Sequence, residues 1–282
     1  MKPYQLGLYE KAMPEHLSWL EKLEATKASG FDFLEMSIDE TDAKLARLEM
    51  SDQELAELQH AMARTGVYIR TICLSGHRKY PFGAHDEATR RRSLDIMEKA
   101  VLLAWRLGVR IIQLAGYDVY YEEGDDQTRA WFLQNLYAAT RMAATYGIVL
   151  GFETMETPFM DTVGKAMDYV HKVGSPYLGV YPDTGNLTNA SLVHGHLLRD
   201  DIATGQGHVF AVHLKETLPG VYREQPFGTG HTDFVACARQ FYAMGVRVFT
   251  GEFWYVGAAD WQQELADANR FLRERIEKGI GA

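Results

Sequence analysis

The stretch Tyr146-Gly147-Ile148-Val149-Leu150-Gly151-Phe152-Glu153 holds the pattern on which the chain turns: a helical segment stops at a glycine, a short apolar run follows, and the run ends on a carboxylate. A glycine just past a helix end is the usual left-handed cap, and a β-branched and aromatic run of this length reads as a buried strand. The same punctuation recurs at Ser29-Gly30-Phe31, Thr65-Gly66-Val67 and Leu107-Gly108-Val109, then at Gly174, Gly207 and Gly245. Those last three precede the runs Tyr177 to Val180, Val209 to His213 and Val246 to Phe249. Successive glycines lie 27 to 42 residues apart, room for one strand and one crossover helix.

An opening strand around Leu6 to Tyr9 brings the strands to eight. Between them lie segments of helical apolar spacing: His16 to Ser29, Asp52 to Thr65, Asp86 to Leu107, Gln127 to Tyr146, Thr162 to Val173, Leu192 to Thr204, Asp233 to Met244 and Trp261 to Lys278. Ser51 with Glu54 has the spacing of a capping box, and Asp161 stands before another helix start. Eight consecutive βα units are best satisfied by closure into a parallel (β/α)8 TIM barrel, because closure removes the sheet edges. The rival, an open doubly wound sheet, would carry a Gly-rich phosphate loop after its first strand; this chain has Leu8-Tyr9-Glu10-Lys11-Ala12 there. No linker, repeat boundary or shift of composition divides residues 1–282, which read as one α/β barrel domain.

The composition, 46% apolar and 24% charged with 8 prolines, excludes a disordered or collagenous chain. A net charge of −9 has the wrong sign for broad contact with nucleic-acid phosphates. Cys73 and Cys237 cannot build a disulfide framework and read as reduced packing residues. Neither a signal peptide nor an apolar run of about 18 residues is visible, so the expectation is a soluble cytoplasmic protein with neither a membrane nor a nucleic-acid partner.

In a barrel of this type, reactive groups stand where the strands end at their carboxyl side. Strand five ends on Glu153, strand six leads into Asp183, strand seven carries His213 and strand eight leads into Glu252. Four consecutive strands thus deliver three carboxylates and one imidazole, a hard donor set suited to Zn, Mn, Co or Mg. Each alone has a plainer reading, as a helix N-cap, a loop ion pair or a core histidine; the succession on four neighbouring strands favours a shared metal site. Weaker candidates at the same mouth are Lys11, Ser75, His77, Arg78, Lys79 and Lys215, cations and small polar groups that an anionic substrate would need. In Pro226-Phe227-Gly228-Thr229-Gly230, Gly228 would let a backbone N–H approach a ligand beside the next helix. Tyr117, Tyr120 and Tyr121 either roof the pocket or simply pack.

Glu153 and Glu252, on strands five and eight, approach a central ion from separated directions, so a substrate between them has one carboxylate on each face. That suits removal of a proton beside a ketone on one side and its return on the other, which inverts the carbon. The ion would act as a Lewis acid stabilising the enediolate, with Asp183 and His213 mainly holding it.

The stretches Phe31-Asp32-Phe33-Leu34-Glu35-Met36-Ser37, Ile112-Gln113-Leu114-Ala115-Gly116-Tyr117, Tyr181-Pro182-Asp183-Thr184-Gly185-Asn186-Leu187 and His213-Leu214-Lys215-Glu216 resemble the L-ribulose-5-phosphate 3-epimerases, also called L-xylulose-5-phosphate 3-epimerases. The resemblance spans nearly the whole chain and includes Leu8-Tyr9-Glu10-Lys11-Ala12 and Pro226-Phe227-Gly228. It implies a xylose-isomerase-like barrel, a divalent metal on Glu153, Asp183, His213 and Glu252, acid/base roles for the two glutamates, and inversion at C3 of a ketopentose 5-phosphate in L-ascorbate or pentose catabolism. In related ketose 3-epimerases that act on free sugars, a substrate-binding histidine follows the metal-binding aspartate; here Asn186 stands near that place, which favours the phosphate-specific branch. Alternatives on the same barrel are an aldose-ketose isomerase and a free-ketose 3-epimerase. An apurinic-site endonuclease would need more histidine ligands and a basic groove, and a sugar-phosphate sensor would bind without turnover. Oligomeric state stays open, a homodimer included.

Overall fold

The computed structural model describes residues 2–281. Eight strands, β1 (Gln5–Tyr9), β2 (Phe33–Ile38), β3 (Tyr68–Leu74), β4 (Ile111–Ala115), β5 (Val149–Glu153), β6 (Leu178–Val180), β7 (Val212–Leu214) and β8 (Val248–Gly251), pair in parallel in the order β6-β5-β4-β3-β2-β1-β8-β7. Two isolated parallel bridges, Val180↔Val209 and Asp183↔His213, join the ends of that order and complete the ring. The crossovers are α1 (Trp19–Ala28), α2 (Asp42–Leu45), α3 (Asp52–Thr65), α4 (Glu87–Leu107), α5 (Asp126–Thr145), α6 (Val163–Val173), α7 (Thr184–His194), α8 (Leu198–Thr204), α9 (Phe234–Ala243) and α10 (Trp261–Ile280). Their apolar faces, such as Leu55, Leu58 and Met62 of α3 and Ile96, Met97 and Val101 of α4, bury against the outside of the ring.

All seven junction glycines adopt positive φ. At Gly66 (φ 73°) the amide closes α3 on the Met62 carbonyl, a conformation that a side chain with a Cβ resists. Ser51 and Glu54 form the expected capping box. Thr162, rather than its neighbour Asp161, caps α6.

The helix expected over 192–204 is instead two, α7 and α8, separated at Gly195, and α7 begins directly after Asp183. The apolar pattern misses α7 because its buried face is small and polar: Thr184, Gly185, Asn186 and Asn189 beside Leu187 and Ala190. No helix among the described residues is long and apolar enough to cross a membrane.

One buried ion cluster ties the start of the barrel together. Glu10, just past β1, accepts hydrogen bonds from Lys22 (2.8 Å) on α1, Lys44 (2.7 Å) on α2, Arg47 (2.6 and 2.7 Å) and the Ser37 amide of β2 (2.9 Å). Burial pushes the Glu10 carboxyl up, but Arg47, Lys44 and Lys22 together hold it well below the usual carboxylate range. A carboxyl so depressed contributes stability that is complete above its unfolded pKa, about 4.3, and is lost as pH falls toward the folded value. Glu10→Ala, which strands buried cations, should cost about 3–5 kcal/mol in urea unfolding at pH 7. The difference from the parent should shrink as the pH drops below about 4; a variant as stable as the parent at pH 7 would refute the role given to this cluster.

Candidate active site

The ring places four of the expected residues together. Glu153 is the last residue of β5, Asp183 follows β6, His213 is central in β7 and Glu252 follows β8. One donor atom from each lies within 4.8 Å of the other three, and all four residues are buried. The Asp183↔His213 bridge and the Glu252 amide, which donates to the Leu214 carbonyl (2.9 Å), set three of these side chains on adjoining backbone.

Two buried networks aim the donors. The His213 Nε2–H donates to Glu35 Oε1 (2.6 Å), while Glu35 Oε2 accepts from Thr71 (2.7 Å) and from the Tyr181 hydroxyl (2.8 Å). His213 Nδ1 is thereby turned into the cluster, 3.5 Å from Glu153 and 3.4 Å from Glu252, with no hydrogen-bond partner. This is the arrangement in which a carboxylate fixes the tautomer of a metal-binding imidazole. Asp183 divides its oxygens: Oδ1 caps α7 by accepting from the Asn186 amide (2.7 Å), whereas Oδ2 is buried and unpartnered. Gln113 donates to Glu153, and Lys215 Nζ lies 3.3 Å from Asp183 and 3.4 Å from Glu252.

Burial and the neighbouring Glu252 raise the Glu153 carboxyl, while Lys215 and His213 overcome burial to hold Glu252 low. Three buried carboxylates, Glu153, Asp183 and Glu252, surround one ammonium, that of Lys215. Uncompensated charge of that size is costly inside a protein, and a divalent cation supplies what is missing. The orphaned His213 Nδ1, Asp183 Oδ2 and Glu252 Oε2 are the atoms that would bind it.

The weaker candidates separate. Lys11, Ser75, Arg78, Asn186 and Lys215 line the cavity above the cluster. Lys11 is paired with Asp39, and Asn186 donates to the Thr154 carbonyl (2.7 Å) with its Oδ1 unpartnered. His77 is buried against Phe82, its Nε2 at the Ser93 carbonyl (3.1 Å), and burial pushes its pKa down to about 4. It does not line the cavity. The Gly228 amide is taken up by Glu216 (2.9 Å), and the positive φ of Gly228 lays it against the Phe271 ring, so this loop is shaped by an internal carboxylate. Lys79 is exposed over Tyr80. Tyr117 and Tyr120 bond Glu156 near the cavity, while Tyr121 is exposed.

Glu35, Gln113, Tyr181, Glu156 and Arg223 escape a reading of strand ends. For Glu35 a signal exists: it is a lone carboxylate within Phe33-Leu34-Glu35-Met36, a strand buried throughout.

Comparison with known proteins agrees with this geometry. Residues 23–275 match the family model described as xylose isomerase-like TIM barrel. The chain is 41% identical over 278 residues to L-ribulose-5-phosphate 3-epimerase UlaE of Salmonella paratyphi A, covering 98% of this chain and 96% of that protein. It is 40% identical over 278 residues, with the same coverage, to the protein of that name from Escherichia coli O139:H28. In fold it is similar to a crystal structure of D-psicose 3-epimerase in the presence of D-fructose, with a TM-score of 0.80 at 17% identity over 96% of this chain and 99% of that one. The chain therefore belongs to the xylose isomerase-like TIM barrel family and, within it, to the group of the L-ribulose-5-phosphate 3-epimerases.

Proposed function

We propose that this single barrel is a divalent-metal-dependent epimerase that inverts C3 of a ketopentose 5-phosphate, interconverting L-ribulose 5-phosphate and L-xylulose 5-phosphate. The observation that carries the reading is the placement of Glu153 and Glu252 on β5 and β8, across one four-donor cluster with a cavity above it. The name shared by relatives of about 40% identity over nearly the full chain supports the substrate class.

Glu153, Asp183, His213 and Glu252 would hold the ion, and an imidazole among three carboxylates favours manganese, cobalt or zinc over magnesium. When bound, the metal supplies Lewis-acid stabilisation of the negative charge that develops on the ketose oxygens. The chain's residues do the rest. One of Glu153 and Glu252 takes the C3 proton from its face of the sugar, and the other returns a proton to the opposite face; the roles exchange when the reaction runs backward. Lys215, fixed between Asp183 and Glu252, keeps those carboxylates from repelling one another and presents a donor to a substrate oxygen. Ser75, Asn186 and Lys11 line the cavity within reach of the sugar hydroxyls.

An aldose-ketose isomerase on the same site would move hydrogen between C1 and C2 instead. In deuterated water the epimerised product should carry deuterium at C3 by NMR, and label confined to C1 or C2 would exclude the proposal. Glu153→Gln and Glu252→Gln should each lower kcat by about 10²–10⁴-fold, with bound metal measured in parallel; near-normal turnover in either variant means that carboxylate moves no proton. Glu35→Gln should weaken metal binding by about 10–100-fold in competition with a chelating dye and no substrate present. An unchanged affinity would mean that Glu35 does not orient His213.

A further inference from the structure

The barrel buries two clusters in which carboxylates meet lysine, and the two are built differently. Around Glu10 three cations crowd one carboxylate at short range: Lys22 at 2.8 Å, Lys44 at 2.7 Å and Arg47 at 2.6 Å. At the mouth the ratio is reversed. Glu153, Asp183 and Glu252 are all buried, and among the described residues the one lysine or arginine nitrogen within 4.0 Å of them is Lys215 Nζ. It stands 3.3 Å from Asp183 Oδ1 and 3.4 Å from Glu252 Oε2. Charge-assisted N–H···O bonds are usually about 2.7–2.9 Å long, so Lys215 is held by the field of the cluster rather than by a tight bond to one partner. It also lines the cavity.

The main chain fixes where this ammonium starts from. Lys215 directly follows β7, its amide donates to Thr184 Oγ1 (3.2 Å) and its carbonyl accepts from Thr232 Oγ1 (3.1 Å). Gly185 packs so closely on that carbonyl that a Cβ there would stand 2.8 Å from it. A pinned backbone thus delivers a mobile charge to the donor cluster. Glu252 Oε2, which the ammonium approaches, is one of the orphaned atoms that would hold the ion, and Asp183 Oδ1 belongs to the carboxylate whose Oδ2 is another. Three carboxylates against one ammonium leave two charges uncompensated, which a divalent ion matches; without Lys215 three would be left. A hard cation binds more tightly the more charge its ligands carry, so a positive charge set against two of those ligands loosens it.

We propose that Lys215 is a resident counter-cation that sets the strength of metal binding: it relieves repulsion among the carboxylates in the metal-free protein and weakens their hold on a divalent ion, which stays exchangeable. This role rests on the four-donor metal site proposed above and names the residue that tunes it.

The test uses the whole protein, stripped of metal, with manganese or zinc titrated in competition with a chelating dye and no substrate present. Lys215→Met, similar in length and uncharged, should bind either ion about 10–100-fold more tightly than the parent, the scale on which groups just outside a ligand shell act. Lys215→Gln, which keeps a donor and loses the charge, should do the same, and it reads the effect if the methionine variant fails to fold. Lys215→Arg keeps the charge and should stay near the parent's affinity. Metal-free Lys215→Met should unfold at lower urea than the metal-free parent, and saturation with the ion should narrow or reverse that gap. Unchanged or weaker binding in the neutral variants would overturn the assignment, because a residue that merely packs or organises the ligands costs affinity when it is removed. A metal-free Lys215→Met as stable as the parent would overturn it too. A parent that bound neither ion would instead remove the metal reading itself, and this role with it.

Discussion

The hydrogen bond from the His213 amide to the Pro182 carbonyl, 2.9 Å long, is the contact on which the site depends. β6 and β7 are the shortest strands, three residues each, and no regular ladder joins them. Isolated bridges close the ring there, and one of them sets Asp183 beside His213. An open sheet ending at β6 would leave these two side chains at opposite edges. Closure turns four separate strand ends into neighbours whose donor atoms fit within 4.8 Å.

Closure also creates an electrostatic demand. Below the mouth the barrel interior holds Glu35, Thr71, Gln113, Tyr181 and Thr250, all fully buried, where a purely structural barrel would stack branched apolar side chains. Buried polar groups rigidify a core only when each is satisfied. Glu35 meets that condition through His213, Thr71 and Tyr181, and Tyr181 is linked on to Thr250 (2.7 Å). Three atoms of the donor cluster, His213 Nδ1, Asp183 Oδ2 and Glu252 Oε2, are left unsatisfied, as are Gln113 Oε1 and Asn186 Oδ1 beside it. Three of the four residues that would hold the ion thus carry an atom that nothing else in the barrel satisfies.

The mouth repeats this division with the opposite sign. Three lining cations are neutralised by carboxylates, and one guanidinium is held on tyrosine rings with its Nε–H unmet. The chain as a whole is acidic, at −9. Attraction for an anion must then come from local placement rather than from the field of the molecule, because charges separated by more than about 8–10 Å are screened at physiological salt.

Local chemistry determined much of this protein. Glycines that must take positive φ mark where helices end, and the apolar runs after them can only be buried strands, so the succession of βα units is written residue by residue. The four donors are legible for the same reason, since a strand end in such a barrel has one place to point. What local chemistry left undetermined involves partners distant in sequence. α7 carries no apolar stripe, because it buries small and polar residues that suit the site rather than a greasy interface. Glu35 meets His213 across 178 positions of chain. His77 turned inward to the Ser93 carbonyl, and the Gly228 amide was claimed by Glu216. Whether a charged or polar group is free to meet a ligand depends on which other groups the closed ring brings within about 3 Å of it, and only the tertiary structure decides that.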